Sequence, residues 1–330
     1  MIPSQTSVNI LTETLAKNHL VAAPMAGVTT PPFRLALREW FDGLVYTEMV
    51  SIEGLIRAGK KTLEFIDLNK HDNPVGIQIF GAKPQSFYDA IKVCDSEANA
   101  DFYDINMGCP VKKVVRNGGG SALLKDTANI QAILRSARKA TRKPVTVKIR
   151  LGWDRSSVNY QEVIRVACGE GIDLITLHGR TKSEMFSGEV DYAMIADAVS
   201  LSTVPVIGNG NVVDLNSYNK MKSTGVAGVM IGRAMMKAPW IFKALSEGKE
   251  PDYYLSPEEI RQFIHRMIKY ESLYREEQYF RDSIKKYAVW FSKGLPEATE
   301  FRSAAYATET LNELIDLIDD YYTKTSLNIF

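Results

Sequence analysis

A chain of 330 residues, 45% hydrophobic and 24% charged, has room for one large α/β domain and a smaller companion. Its formal net charge of +1 excludes a globally basic nucleic-acid binder, so any RNA or DNA surface must come from local segregation of charge. Three irregularly spaced cysteines, Cys94, Cys109 and Cys168, form neither a C-x-x-C pair nor a Cys/His cluster, which argues against zinc and for a reducing, cytoplasmic setting. Residues 1–18 are polar and mildly helical, without the apolar core of a signal peptide. No apolar run reaches membrane-spanning length, so no membrane partner is expected.

Short apolar runs alternate with amphipathic stretches along most of the chain. Strands are expected at residues 20–23, 44–47, 75–80, 102–106, 145–149, 174–177, 204–207 and 228–231. Helices are expected between them at 32–40, 84–96, 127–140, 160–169 and 191–199. About eight such repeats predict a parallel sheet closed as a (β/α)8 TIM barrel. An open doubly wound sheet is the alternative, but no G-x-G-x-x-G follows the first strand. The period breaks near Pro239, and from Ser256 to about Tyr322 the pattern is helical. Ser256 as N-cap, Pro257 at the first position and Glu258 and Glu259 in the first turn form a strong helix start. The expected division is an extension over 1–19, a barrel over 20–245 and an all-helical domain over 246–330.

Within that frame Asp104-Ile105-Asn106-Met107-Gly108-Cys109-Pro110 reads as a buried strand opening into a loop that presents one thiol. Gly108 permits a sharp turn and Pro110 stiffens the exit. Asn117-Gly118-Gly119-Gly120-Ser121 follows, a run that suits a flexible loop. Locally, a reactive cysteine and a small buried hydrophobe are both open.

The other expected strands also end in polar groups, and barrel chemistry sits at the C-terminal strand ends. The first runs into Pro24-Met25-Ala26-Gly27, and the third carries Gln78. The fifth carries Lys148 and Arg150, and the sixth ends in His178-Gly179-Arg180. The seventh ends in Gly208-Asn209-Gly210-Asn211 and the eighth in Gly232-Arg233. Gln78 or His178 alone reads as a satisfied core residue. Lys148 differs, because a lysine inside a strand rarely stays buried without a partner. Together these residues describe a polar, cationic pocket at one barrel mouth. The glycine loops after the seventh and eighth strands suit a phosphate and Lys148 suits an anionic ring edge, a pattern that fits flavin mononucleotide, although barrels also use glycine in ordinary turns.

Several of these motifs resemble the tRNA-dihydrouridine synthases, most closely the DusB-like bacterial branch. The resemblance is carried by residues 23–29 (Ala-Pro-Met-Ala-Gly-Val-Thr), 104–110, 120–124 (Gly-Ser-Ala-Leu-Leu), 148–153 (Lys-Ile-Arg-Leu-Gly-Trp), 177–181 (Leu-His-Gly-Arg-Thr), 208–210 and 230–234 (Met-Ile-Gly-Arg-Ala). They run in order over about 20–245 and continue more weakly past Trp240 into Lys285, Lys286 and Trp290. The resemblance implies an FMN-containing barrel, a helical domain that grips tRNA, and NADPH-driven reduction of a D-loop uridine by an oxidoreductase acting on a C–C double bond. By that analogy Pro24, Met25, Ala26, Gln78, Lys148, His178, Asn209, Gly210, Asn211, Gly232 and Arg233 would hold FMN. Asn106, Arg150 and Arg180 would line the substrate side, and Lys113 with Gly118–Gly120 would belong to a mobile loop carrying Cys109. Cys109 would protonate uracil C5 while C6 receives a hydride. One copy suffices to recognise a tRNA, so a monomer is expected. Branch members commonly carry a histidine where this chain has Tyr287.

Backbone contacts to the RNA would fall to the helical domain, through Arg281, Lys285 and Lys286, with Tyr287, Trp290 and Phe291 close by. On composition alone this segment reads as a solvated charged face over an aromatic core, because Glu271, Glu276, Glu277 and Asp282 interrupt the bases. Two rival readings remain. A dehydrogenase of a free pyrimidine, of the dihydroorotate type, would use similar ring chemistry but usually has serine before its Cys-Pro. A non-catalytic RNA-binding barrel would not need Lys148, Cys109 and the glycine loops together.

Overall fold

The structure, a computed structural model, describes residues 9–57, 59–68, 71–252 and 254–328. It divides into two compact units. The first comprises Met1–Thr30, Asp42–Val212 and Asn216–Gly232. The second comprises Pro31–Phe41, Val213–Leu215 and Arg233–Phe330. The helix Pro31–Leu37, read from sequence as the first barrel helix, therefore groups with the C-terminal helices. Among the described residues no helix is long and apolar enough to cross a membrane.

The first unit is a TIM barrel. Its strands are β1 (Leu20–Ala22), β2 (Val45–Tyr46), β3 (Val50–Ser51), β4 (Val75–Phe80), β5 (Phe102–Asn106), β6 (Val145–Arg150), β7 (Leu174–His178), β8 (Val206–Asn209) and β9 (Gly228–Ile231). They pair in parallel in the order β1-β9-β8-β7-β6-β5-β4-β2, with the short β3 also on β4. The ring closes where Val21 bridges Leu44 and the Ala22 N–H donates to the Leu44 carbonyl at 3.0 Å. β3 has no counterpart among the expected strands. β8 lies two residues later than expected: Pro205 has no N–H to give a ladder, so pairing starts at Val206 and runs on to Asn209. That shift puts Asn209 inside the sheet, opposite His178 on one side and Met230 on the other.

The barrel interior changes character from floor to mouth. The floor is apolar: Val21, Leu44, Phe102, Leu174, Ile207 and Met230 form one buried cluster with Tyr46. Leu11 and Leu15 of the helix Asn9–Lys17 join it, 1% and 3% exposed. The amphipathic N-terminal segment is thus a plug, stabilised by about 1.5–3 kcal/mol for each leucine it buries. Above the floor, strand alternation turns Gln78, Asp104, Asn106, Thr146, Thr176 and His178 into the sheet interior, all of them buried.

Unit two is built from helices, among them Ile241–Ser246, Pro257–Ser272, Glu277–Phe291, Ala298–Ala307 and Leu311–Asn328. Ser256 starts Pro257–Ser272 with a complete capping box, its side chain paired with the Glu259 backbone and Glu259 reaching back. An aromatic cluster forms the core: Trp40 meets Phe263 edge-on at 5.4 Å, Trp240 meets Phe291 at 5.7 Å, and Tyr287 stacks on Phe33 at 5.9 Å. Tyr287 is 3% exposed and donates to the buried Glu271 carboxylate at 2.9 Å.

Two stability outcomes follow. Leu15→Ala opens a cavity under the barrel and should cost about 2–5 kcal/mol in denaturant unfolding. Tyr287→Phe removes the phenol hydrogen bond from the buried Glu271 carboxylate and should cost about 1–3 kcal/mol by the same measurement.

Candidate active site

One asparagine organises the cysteine loop. Asn106 ends β5, so its side chain shares the interior face with Asp104 two residues earlier. Its Nδ2 donates to Gln78 Oε1 at 2.8 Å, and its Oδ1 accepts from the Gly108 N–H at 3.2 Å and the Cys109 N–H at 2.9 Å. Gln78 in turn donates from Nε2 to Asp104 Oδ2 at 2.6 Å, and Thr146 Oγ1 donates to Asp104 Oδ1 at 2.5 Å. A carboxylate can only accept here, so Gln78 must point its NH2 at Asp104 and its oxygen at Asn106. Asn106 must then offer its own oxygen to the loop. The order of donors and acceptors from the barrel interior to Cys109 is fixed by that one acid.

Cys109 itself is held from the far side. Ser121 donates to its carbonyl from both N (3.1 Å) and Oγ (2.9 Å), and Arg150 Nε donates to the Gly108 carbonyl at 2.8 Å. Gly120 makes this approach possible. Its φ is +58°, and a Cβ there would sit 2.7 Å from the Cys109 carbonyl oxygen. The glycine run read from sequence as a flexible loop is therefore where the backbone packs beneath the thiol. Burial pushes the half-buried Cys109 thiol above its ordinary value, only partly offset by the Val111 N–H and the charges of Arg150 and Lys148. It stays protonated at neutral pH.

Lys148 lies opposite Asn106 in the sheet register. Its Nζ donates to Asn209 Oδ1 at 2.9 Å, and Asn209 Nδ2 donates to the Met230 carbonyl at 2.9 Å. Burial, and next the charge of Arg150, bring its ammonium down to about 7, while Asp104 and Cys109 act the other way. Asp104 is pushed up to about 6 by burial, against its bonds to Thr146 and Gln78 and the charge of Lys148. Beside Lys148, the loop after β8 turns left-handed at Gly210 and Asn211, where φ is +134° and +50°. A Cβ on Gly210 would come within 3.2 Å of the His178 ring, so only glycine lets this backbone lie against the imidazole.

The two arginines serve the loops. Arg150, 2% exposed, donates from Nη1 to the carbonyls of Thr181 (2.9 Å) and Met185 (2.8 Å). Arg180, fully buried, donates to the Gly188 carbonyl and, at 3.2 Å, to Asn211 Oδ1. Pro24, Met25 and Ala26 lie in the turn after β1, where the Gly27 N–H meets the buried Glu48 carboxylate at 2.5 Å. Gly232 directly follows β9. Lys113 is exposed on the short helix Lys112–Arg116 behind the cysteine.

Several expected site residues sit in the second unit. Arg233 is the N-cap of the helix Ala234–Lys237. Lys285 is 8% exposed and its Nζ meets the carbonyls of Tyr306 and Thr308, while Arg281 meets the Glu309 carbonyl. Both cap the chain that leaves Ala298–Ala307. Lys286 is exposed on the same helix as these two. The sequence reading quoted Asp104 and Ser121 within its motifs without giving either a role, and passed over Thr146 and Glu48. The signal that marked Lys148, a charge inside a strand, was equally present at Asp104.

Lys148 gives the site a pH signature. An ammonium that falls to about 7 on folding from an ordinary 10.5 leaves the unfolded chain binding more protons between those values, so stability of the ligand-free protein should rise over that range. Lys148→Met should abolish the rise, as read by chemical denaturation at a series of pH values.

The dihydrouridine synthase (Dus) family model matches residues 20–326. The tRNA-dihydrouridine synthase B of Pseudomonas aeruginosa is 35% identical over 291 residues, 87% of each chain. That of Pseudomonas syringae pv. tomato is 37% identical over 295 residues, 87% of this chain and 86% of the relative. That of Xanthomonas campestris pv. campestris is 33% identical over 311 residues, 92% of each chain. Among solved structures, histamine dehydrogenase from Rhizobium sp. 4-9 superposes with a TM-score of 0.56 at 15% identity, covering 80% of this chain. This chain spans about half of that larger protein, 51% of its length, and shares its barrel fold. With the family model and relatives of this similarity spanning nearly the whole length, the chain belongs to the dihydrouridine synthase family.

Proposed function

We propose that this protein reduces the C5–C6 double bond of a D-loop uridine in tRNA to dihydrouridine, with FMN as cofactor and NADPH as reductant. The observation that carries the reading is the pairing, at one barrel mouth, of a half-buried cysteine whose backbone N–H is held by Asn106 with a lysine bonded to a neutral amide. Residues 20–245 would be the catalytic barrel and 246–330 the helical tRNA-binding domain, in a cytoplasmic monomer.

The residues present fit a flavin. Lys148 is pushed towards its neutral form by its surroundings, so an anionic ring edge brought beside it restores its proton and its charge. Gln78, Asn209 and His178 add oriented polar groups on neighbouring strands, Pro24, Met25 and Ala26 flank them, and the glycine turns at Gly210–Asn211 and Gly232–Arg233 would accept the phosphate. FMN bound there would supply a hydride from N5 to uracil C6.

Cys109 completes the addition by giving its Sγ proton to C5, so that one hydride and one proton saturate the bond while NADPH becomes NADP+. A thiol held above its ordinary value is a competent donor at neutral pH, and its use as acid is lost as pH rises through that raised value. Arg150 and Arg180 act mainly by fixing the loops that frame the uracil, and Asn106 by fixing the thiol. In the helical domain Lys286 remains available to an RNA phosphate, with Arg281 and Lys285 shaping the chain beside it.

The test is anaerobic. NADPH should reduce the flavin of the wild type and of Cys109→Ala at similar rates. Unmodified tRNA should then reoxidise the wild type at least about a hundredfold faster than the variant. Equal rates would remove the acid role. Reoxidation by free uracil or orotate, and not by tRNA, would replace the RNA substrate with a free pyrimidine.

A further inference from the structure

Three loops at the mouth of the barrel, those after β5, β6 and β7, carry a feature that the uridine chemistry does not use. Trp153, just past β6, is half-buried, and two ammonium groups converge on its indole: Lys125 Nζ lies 3.5 Å and Lys182 Nζ 4.2 Å from the ring centroid. Among the described residues neither lysine has a carboxylate within ion-pair distance. Two like charges gathered on one ring are held by its π face.

The same loop that carries Lys182 continues to Met185 and Phe186, which are 41% and 47% exposed. Met185 has a left-handed backbone, φ +53°, unfavourable for a side chain of its kind. The loop is nevertheless tightly held. Arg150 takes the carbonyls of Thr181 and Met185, Glu184 takes the Thr181 N–H and hydroxyl at 2.7 and 2.8 Å, and Arg155 pairs with Glu184 at 2.6 Å. The guanidinium carbon of Arg150 sits 5.6 Å from the Phe186 ring centroid. Strain maintained by this many bonds, in order to display two large apolar side chains, points to a contact surface.

Its position says with what. Arg150 also holds the Gly108 carbonyl, and Lys125 ends the 3-10 helix Gly120–Lys125 whose Ser121 holds Cys109. The cations and the aromatic ring therefore sit on loops at the same end of the barrel as the cysteine loop, each following a strand end. Paired cations beside an exposed aromatic plane match single-stranded RNA, whose phosphates meet lysines and whose unstacked bases meet rings.

We propose that Lys125 and Lys182, gathered on Trp153, together with Phe186, form the contact surface for the RNA strand flanking the reacting uridine. The lysines take phosphates and Phe186 takes one unstacked base. The assignment rests on the tRNA reading above.

The experiment uses the FMN-loaded enzyme and unmodified tRNA, with affinity measured across a salt series and each variant's melting temperature checked. Loss of two phosphate contacts should flatten the slope of log affinity against log salt by about 1.4 in K125Q/K182Q, while K125R/K182R keeps the wild-type slope. F186A should bind at least about fivefold more weakly, and F186W should bind normally with tRNA-dependent quenching beyond that of the wild type. Wild-type slopes in K125Q/K182Q together with unquenched, unaltered binding in the Phe186 variants would overturn the surface. If those variants instead lost binding to an acidic peptide and kept tRNA affinity, the surface would belong to a protein partner and the proposal would fail. A wild type that neither binds tRNA nor is reoxidised by it would overturn the functional reading itself, an outcome distinct from variants that merely match a tRNA-competent wild type.

Discussion

A buried carboxylate that can only accept hydrogen bonds sets the polarity of the hydrogen-bond chain that reaches the cysteine loop. Asp104 takes one bond from Gln78 and one from Thr146, and the order runs outward from there through Asn106 to the backbone of Cys109. Such a chain has one satisfying arrangement, because reversing any amide would set donor against donor. The cost is a carboxyl driven up to about 6 by its surroundings. That cost is accepted where position matters, at the step between barrel interior and reactive loop. The thiol is thereby placed by the core of the barrel, even though it stands on a loop.

The neighbouring strand β6 obeys a complementary constraint. Lys148 is bonded to a neutral asparagine, and burial and a nearby guanidinium push it towards neutrality. Asp104 offsets part of this, and an incoming anion can offset more. The barrel thus holds an acid pushed up and a base pushed down on two neighbouring strands, the pattern expected where environment divides roles between titratable groups. Beneath them the floor is apolar and closed by Leu11 and Leu15, which keeps the polar layers near the mouth.

The arginines show how a family's residue types can serve a site in more than one way. Arg150 and Arg180 are almost wholly buried and spend their donors largely on loop carbonyls. A planar fork with five N–H groups is suited to tying several backbone oxygens together. Through Arg150 the cysteine loop and the Phe186 loop share one anchor.

Most strand positions, their polar ends, the Asn-Met-Gly-Cys-Pro turn and the capped helix after Ser256 were legible in the sequence, because each depends on local patterning: period two in strands, glycine at turns, a serine before proline and acids; the short β3 and the register of β8 were not. Lys148 was legible as a buried charge for the same reason. Other features depended on which distant segments meet. Lys285 looked like a surface cation until the carbonyls at 306 and 308 met its ammonium. The triple-glycine run looked flexible until the Cys109 carbonyl lay against Gly120. The helix Pro31–Leu37 interrupts the barrel in sequence yet groups with helices two hundred residues later, since packing follows complementary apolar faces and not chain order. The sequence by itself determined the barrel, the family and the chemical groups available. The tertiary structure decided which atom each group faces, because hydrogen-bond direction and desolvation exist only once remote strands and loops are brought together.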